Sequence, residues 1–367
     1  MYKKHKIPYI KISFGISILA ITAIVFEYIS LFSYPIYAYT KSKQFKQDKF
    51  NNDKQIENKL KWYRIPKILW KYTLNQKTQN THPKFPILIK KITAFELQQA
   101  VNNTVYRLGH STVLLKLENN FYLTDPIFSQ RASPVQWAGP KRFSQLPITI
   151  DELPNIKAVV ISHNHYDHLD KNTILKLSKK VEHFFTPLGV GDILVAWGVD
   201  KNKITQLDWW EQKQFNNINF IAAPSQHFSG RGLFDKNKTL WASWIIKTQD
   251  SSIFFSGDTG YFEGFKKIGQ KYGPFDLSLM ETGAYNVNWP DVHMQPEESL
   301  HAHIDLNSKL LLPIHNSTFS LSTHSWNEPL IRITKLALNK NIAIVTPQIG
   351  KGINFKDTQI NHEIWWN

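Results

Sequence analysis

The stretch ISHNHYDHLD, Ile161 to Asp170, places three histidines and two aspartates within ten residues, directly after the apolar run AVVIS. Neutral imidazole and carboxylate are the groups that hold zinc and similar divalent ions. In an extended segment alternate residues point the same way, so His163 and His165 can converge on one ion. Asp167 and His168 can then turn toward a second. Three more polar groups stand where strands should end: His227 in PSQHFSG, Asp258 in FFSGDTG and His315 in LLPIHNS. The seven residues form an imidazole and carboxylate set suited to two ions. The chain has no cysteine, which excludes thiolate ligands, disulfides, a cysteine nucleophile and a lipoprotein cysteine. No GxSxG elbow offers a serine nucleophile instead.

These groups need strands and turns to position them. VYRLGHSTVLLKLENNFYLTDPIF reads as two strands joined at Glu118-Asn119-Asn120. AVVIS is a short buried strand running into the histidines, and Asp170 is placed to cap a helix over Lys171–Lys179. INFIAA, the hairpin LWASWIIKTQDSSIFF, FDLSLM, KLLLPI and NIAIVTPQI read as further strands. A helix starts at Pro296, with Glu297 and Glu298 in its first turn, and another covers Pro329–Leu338. Paired strands followed by helices imply mixed α/β layers.

Other residues near these motifs carry two readings each. Asp125 in LTDPIF either orients a ligand histidine from behind or caps a turn. His110 in GHST reads as structural or supporting rather than as a ligand. Arg231 either pairs with a phosphate or makes a surface salt bridge. Trp209 and Trp210 read as core, with an acyl groove as the alternative. His301 and His303, two apart in a helix, cannot face one ion.

HxHxDH, a lone His, GDT and a second lone His, spanning about Val105 to His315, resemble the metallo-β-lactamase superfamily. That resemblance implies an α/β fold, a four-layer αβ/βα sandwich with metals at one edge between two sheets. RLGHSTVLLKL, LTDPIFSQRASPVQWAGPKRF, PSQHFSGRG, GAY and VHMQPEES are similar to the N-acyl-phosphatidylethanolamine-hydrolysing phospholipase D family. The narrower resemblance implies a zinc-dependent hydrolase that releases an N-acylethanolamine and phosphatidic acid through a metal-bridging hydroxide. Carried over motif by motif, His163, His165 and His227 hold the first of two Zn²⁺, and Asp167, His168 and His315 the second. Other divalent metals fit the same ligands. Asp258 bridges the two ions, and Tyr166 and His293 face the substrate phosphate. The sequence departs from the family at METGAYNVNWP, where Glu281 and Thr282 replace a PIGAY-type stretch. Two alternatives stand beside the phospholipase: a lactonase or other small-ester or phosphodiester hydrolase, and a non-catalytic, membrane-tethered metal-binding protein.

The charge distribution bears on partners. The net charge is +15, yet residues 1–91 hold 18 Lys/Arg against 4 Asp/Glu, and the remainder holds 26 against 25. A nearly neutral main domain does not suit nucleic acid, and no nucleic-acid partner is expected. Residues 12–40 carry one charge, Glu27, and are long enough to cross a bilayer. Lysines precede the run and tyrosines crowd its end. Three parts are therefore expected: an N-terminal membrane anchor over 1–40, transmembrane or interfacial, a basic and aromatic connector over 41–91, and the hydrolase domain over 92–367. The expected partners are a membrane surface and a membrane phospholipid substrate, at a bacterial inner membrane. Lysines on both sides of the anchor leave its orientation open. The oligomeric state has no signature in the sequence.

Overall fold

The computed structural model describes residues 39–54, 56, 80–232, 234–357 and 363–366. The expected anchor, up to residue 38, and the tryptophan-bearing part of the connector lie outside the described residues. Among the described residues no helix is long and apolar enough to cross a membrane.

The part of the expected connector that is described belongs to the domain. Strands β1 (Phe45–Lys46) and β2 (Lys49–Phe50) form a small hairpin. Its Phe50 is fully buried, packs on Tyr39 and Phe45, and joins the central core. Basic residues in this stretch occupy the exposed positions, which is why composition alone reads it as a linker.

Helix α1 (Ala94–Gln99) opens with a capping box, in which Thr93 and Glu96 satisfy each other's backbone N–H groups. Then come β3 (Thr104–Gly109), β4 (Thr112–Leu117) and β5 (Asn120–Thr124), three strands where the sequence suggests two. His110, at φ 52°, makes a tight turn that splits the first run. Strands β6 (Ile156–Val160), β7 (Val181–Pro187) and β8 (Ile204–Leu207) extend this sheet in parallel. Helix α2 (Lys171–Leu177) lies between β6 and β7, and α3 (Val190–Ala196) between β7 and β8. Asp170 caps α2 by accepting from Asn172 N–H.

The second sheet contains β9 (Gln212–Phe215), β10 (Ile218–Ala223), β11 (Ser243–Lys247) and β12 (Ser252–Phe255), all antiparallel. Helix α4 (Gly264–Tyr272) leads to β13 (Leu277–Glu281), and α5 (Pro296–Asp305) to β14 (Leu311–Ile314), both parallel to β12. Helix α6 (Glu328–Asn339) and β15 (Gly352–Asn354) complete the domain, with β15 pairing back on β3. NIAIVTPQI is not a strand. It makes one bridge, Ile344 to Leu311, and otherwise fills space as a buried loop.

Three apolar clusters stack the layers. Between the sheets lie Val113, Leu115, Val160 and Phe185 from one side and Phe220, Trp244, Phe255 and Leu279 from the other. Helices α1 to α3 cover the outer face of the first sheet. Helices α4 to α6 cover that of the second. Each fully buried Phe or Leu contributes about 1.5–3 kcal/mol to holding the layers together.

Strands β3, β5 and β6 run the same way in the first sheet, and β10, β12, β13 and β14 run the same way in the second. Each of the seven expected metal ligands lies in the loop that follows the C-terminal end of β6, β10, β12 or β14. One rim of the sandwich therefore collects them all. Buried Arg107 braces that rim: its Nη2 donates to both Asn316 O and Asn316 Oδ1 at 2.6 Å, beside His315. Arg107→Ala is expected to cost about 3–5 kcal/mol in a denaturant titration, because it empties a core site and removes a charged donor from two buried acceptors.

Candidate metal centre

In His163, His168 and His227 the outer nitrogen is tied to a partner, which decides what the inner nitrogen can do. Asp125 accepts from Ser162 N–H at 2.7 Å and from Ser162 Oγ–H at 2.5 Å. Ser162 Oγ, having donated its proton, accepts from His163 Nδ1–H at 2.9 Å. His163 Nε2 is left as a lone pair. His227 Nδ1 donates to Val292 O at 3.0 Å, with the same result for that ring, while His168 Nδ1 donates to Asp125 Oδ2 at 2.6 Å and leaves Nε2 as the position a metal would take from a proton. These are the tautomers a metal requires.

The inner atoms form two adjoining groups. His163 Nε2 and His227 Nε2 lie 2.8 and 3.2 Å from His165 Nδ1, and both lie 3.8 Å from Asp258 Oδ2. In the second group Asp258 Oδ1 is 3.0 Å from His168 Nε2 and 3.2 Å from His315 Nε2. Asp167 Oδ2 is 3.4 and 3.3 Å from the same nitrogens. Asp258 thus faces both groups with one oxygen each. His168 Nε2 and Asp258 Oδ1 are buried and make no hydrogen bond, although 3.0 Å apart. Two buried, unpartnered polar atoms aimed at one point fit a divalent cation that replaces the His168 proton, and a set of nitrogen and carboxylate donors suits zinc among others.

Electrostatics agree with this picture. Burial holds the His163 and His227 rings well below the usual histidine range and pushes His165 down to about 4, so these three are neutral. Burial opposes charge on His315 too, but Asp258 and Asp167 outweigh it and lift that ring to about 10. Asp258, Asp167 and Asp125 do the same for His168.

The close backbone approaches explain local sequence. Gly257, at φ 56°, lets the Asp258 turn press on Ser162: a Cβ there would sit 2.5 Å from the Ser162 Cβ. Gly283 passes the His315 carbonyl so closely that a Cβ would lie 2.1 Å from it. His110, Asp125 and His315 all take positive φ, strain concentrated at the rim.

The supporting residues resolve as follows. Asp125 orients His168 from behind. His110 Nε2 lies 3.0 Å from Asp167 Oδ2 and steadies that carboxylate. Arg231 packs on the histidine loop. Its guanidinium donates to Asn164 O and Leu169 O at 2.8 Å and lies over the Tyr166 ring, clamping the histidine loop. Tyr166, expected to face substrate, is not among the residues that line the cavity above the cluster. His293 is. Trp209 is core, donating to Trp241 O at 2.6 Å. His303 is buried against Ser278, and His301 is exposed.

Two residues at the site have no assigned role from sequence. Glu281 is fully buried, accepts from Thr259 N–H at 2.6 Å and holds His293 Nδ1 in a very short hydrogen bond. Its one signal was the departure at METGAY. Asn52 bonds the backbone of His227 from 175 residues away, and no local pattern marks it.

A family model of the beta-lactamase superfamily domain matches residues 120–316. An uncharacterized protein of Mycobacterium tuberculosis is 42% identical over 262 residues, 70% of each chain. The N-acyl-phosphatidylethanolamine-hydrolyzing phospholipase D 1 of Caenorhabditis elegans is 34% identical over 261 residues, 68% of this chain and 73% of that one. A metallo hydrolase from the archaeon Ignicoccus hospitalis shares the fold, with a TM-score of 0.52 at 19% identity, over 68% of this chain and 97% of that one. Sequence relatives and layered rim alike place the chain: it belongs to the metallo-β-lactamase superfamily and is a metal-dependent hydrolase of that fold.

Proposed function

We propose that the chain is a membrane-anchored, two-metal phosphodiesterase of phospholipase D type, acting on N-acyl-phosphatidylethanolamine or a related phospholipid. His163, His165 and His227 hold one ion, Asp167, His168 and His315 the other, and Asp258 is shared. The bound pair supplies Lewis acidity that lowers the pKa of water and offsets charge developing on phosphorus.

The observation that carries the lipid reading is the space above the cluster. Asp167, Asp258 and His315 form the floor of a cavity of about 680 Å³. Phe228, Ala284, Trp289, Val292 and Leu321 line its sides. Such a wall suits an acyl chain, and the volume exceeds what a small lactone needs. Phe234 and Val287, 74% and 81% exposed, stand within two residues of the lining residues Lys236 and Asn288. Exposed apolar groups beside a cation at the mouth favour an anionic lipid surface. Similarity to the worm phospholipase supports the same substrate.

His293 faces this cavity, and Glu281 accepts its Nδ1 proton, so Nε2 is the atom presented to a substrate oxygen. Glu281→Ala frees the ring. It is expected to lower kcat ~10–100-fold, the size of effect when an orienting partner is lost, with little change in metal content. Steady-state kinetics beside metal analysis checks this.

The function itself is tested with metal-loaded protein and N-acyl-phosphatidylethanolamine in mixed micelles, with products followed by mass spectrometry. N-acylethanolamine and phosphatidic acid are expected. Protein that holds two ions and forms neither product refutes the substrate.

A further inference from the structure

We propose that the N-terminal hairpin is a working wall of the metal centre and that Asn52 is a positioning residue for His227. The inference rests on the reading of His227 as a metal ligand.

One side chain closes both backbone groups of that histidine. Asn52 Nδ2 donates to His227 O at 2.8 Å, and Asn52 Oδ1 accepts from His227 N–H at 3.1 Å. The same oxygen accepts from Trp241 Nε1–H at 3.0 Å, and Trp241 is buried in the core between the sheets. The amide is thereby fixed to the scaffold on one side and to His227 on the other. His227 sits in a loop past β10, where no ladder hydrogen bond holds its backbone. Its ring has a single outer tether, Val292 O. Without Asn52 the ring could pivot about that tether.

A second route joins the hairpin to the same loop. Phe50 N–H donates to Asn237 O at 2.8 Å, and Asn237 in turn bonds Ser229, two residues past His227. Lys238 Nζ reaches Asp48 O at 2.9 Å. The buried Phe50 ring anchors these contacts in the core. Asn51, Asn52 and Ile56 then line the cavity directly. The segment leading out of the expected anchor is therefore built into the centre rather than tethering it from outside.

The coupling predicts that metal affinity depends on Asn52. Competition with a chromophoric zinc chelator, on the full chain, reads both binding steps without any substrate. Asn52→Ala is expected to weaken one step ~10–100-fold, as loss of a ligand's supporting partner does, and to leave the other nearly unchanged. Lys46→Ala is the control: its side chain is exposed on the same hairpin and does not line the cavity, and both steps should persist. Wild-type affinity at both steps in Asn52→Ala overturns the inference. His227→Ala separates the two claims, because undiminished binding in that variant sinks the ligand reading itself. Coupling is reciprocal, so the wild-type chain offers a measurement that needs no variant. Zinc loading should slow amide exchange across Phe45–Asn52, and unchanged rates there would contradict a hairpin that acts on the metal site.

Discussion

Asp258→Ala is expected to abolish turnover, lowering kcat/KM ~10³-fold or more, while the protein stays folded. The carboxylate sits within 3.8 Å of His163 and His227 and 3.0–3.2 Å of His168 and His315, so it alone faces both halves of the cluster. Losing it removes the proposed shared ligand and the anion beside the two charged rings. A loss of several kcal/mol of transition-state stabilisation corresponds to that factor. The fold survives because Asp258 contributes nothing to the three apolar clusters. Metal analysis and circular dichroism beside kinetics check the claim. Wild-type turnover in a folded variant would end the two-metal account.

Zinc loading at pH 7 is expected to release about two protons, one each from His168 and His315. In the metal-free chain both rings hold their protons at neutrality, since the surrounding carboxylates outweigh burial and lift His315 to about 10. A metal needs those lone pairs, so affinity rises with pH across the neutral range. His163, His165 and His227 are already neutral and release none until pH falls toward 4, the value for His165. The linkage to folding has a definite sign. The folded pKa of His315 exceeds its unfolded value, so its stabilisation is full below about 6.5 and fades as pH rises through about 10. The metal-free protein should therefore lose stability on the alkaline side, and the zinc-loaded protein should not share that loss. Calorimetry in two buffers of different ionisation enthalpy counts the protons. Zero release would contradict the assignment.

The cluster was legible because HxHxDH sets four donors side by side, and the three distant donors each follow an apolar strand that a pattern can find. All seven meet at one rim because their strands share a direction. Asp125 was legible only as two alternatives, and a 2.6 Å contact to His168 decides between them. Arg231 was legible only as a basic residue beside the motif, and nothing local shows that its guanidinium is used by backbone carbonyls of the histidine loop. NIAIVTPQI has a strand's composition and burial but only one bridge, which apolar periodicity cannot tell from a paired strand. Asn52 was invisible, because nothing local in a lysine-rich stretch reports a partner 175 residues on.

In the proposed reaction water cleaves the distal phosphodiester P–O bond, and oxygen labelling reads which bond breaks. Hydrolysis of N-acyl-phosphatidylethanolamine by the zinc-loaded protein is run in H₂¹⁸O and both products are weighed by mass spectrometry. The account predicts one ¹⁸O in phosphatidic acid and none in the N-acylethanolamine, since water attacks phosphorus and the alcohol leaves with its own oxygen. Label in the N-acylethanolamine, or a free fatty acid or diacylglycerol as product, would contradict it.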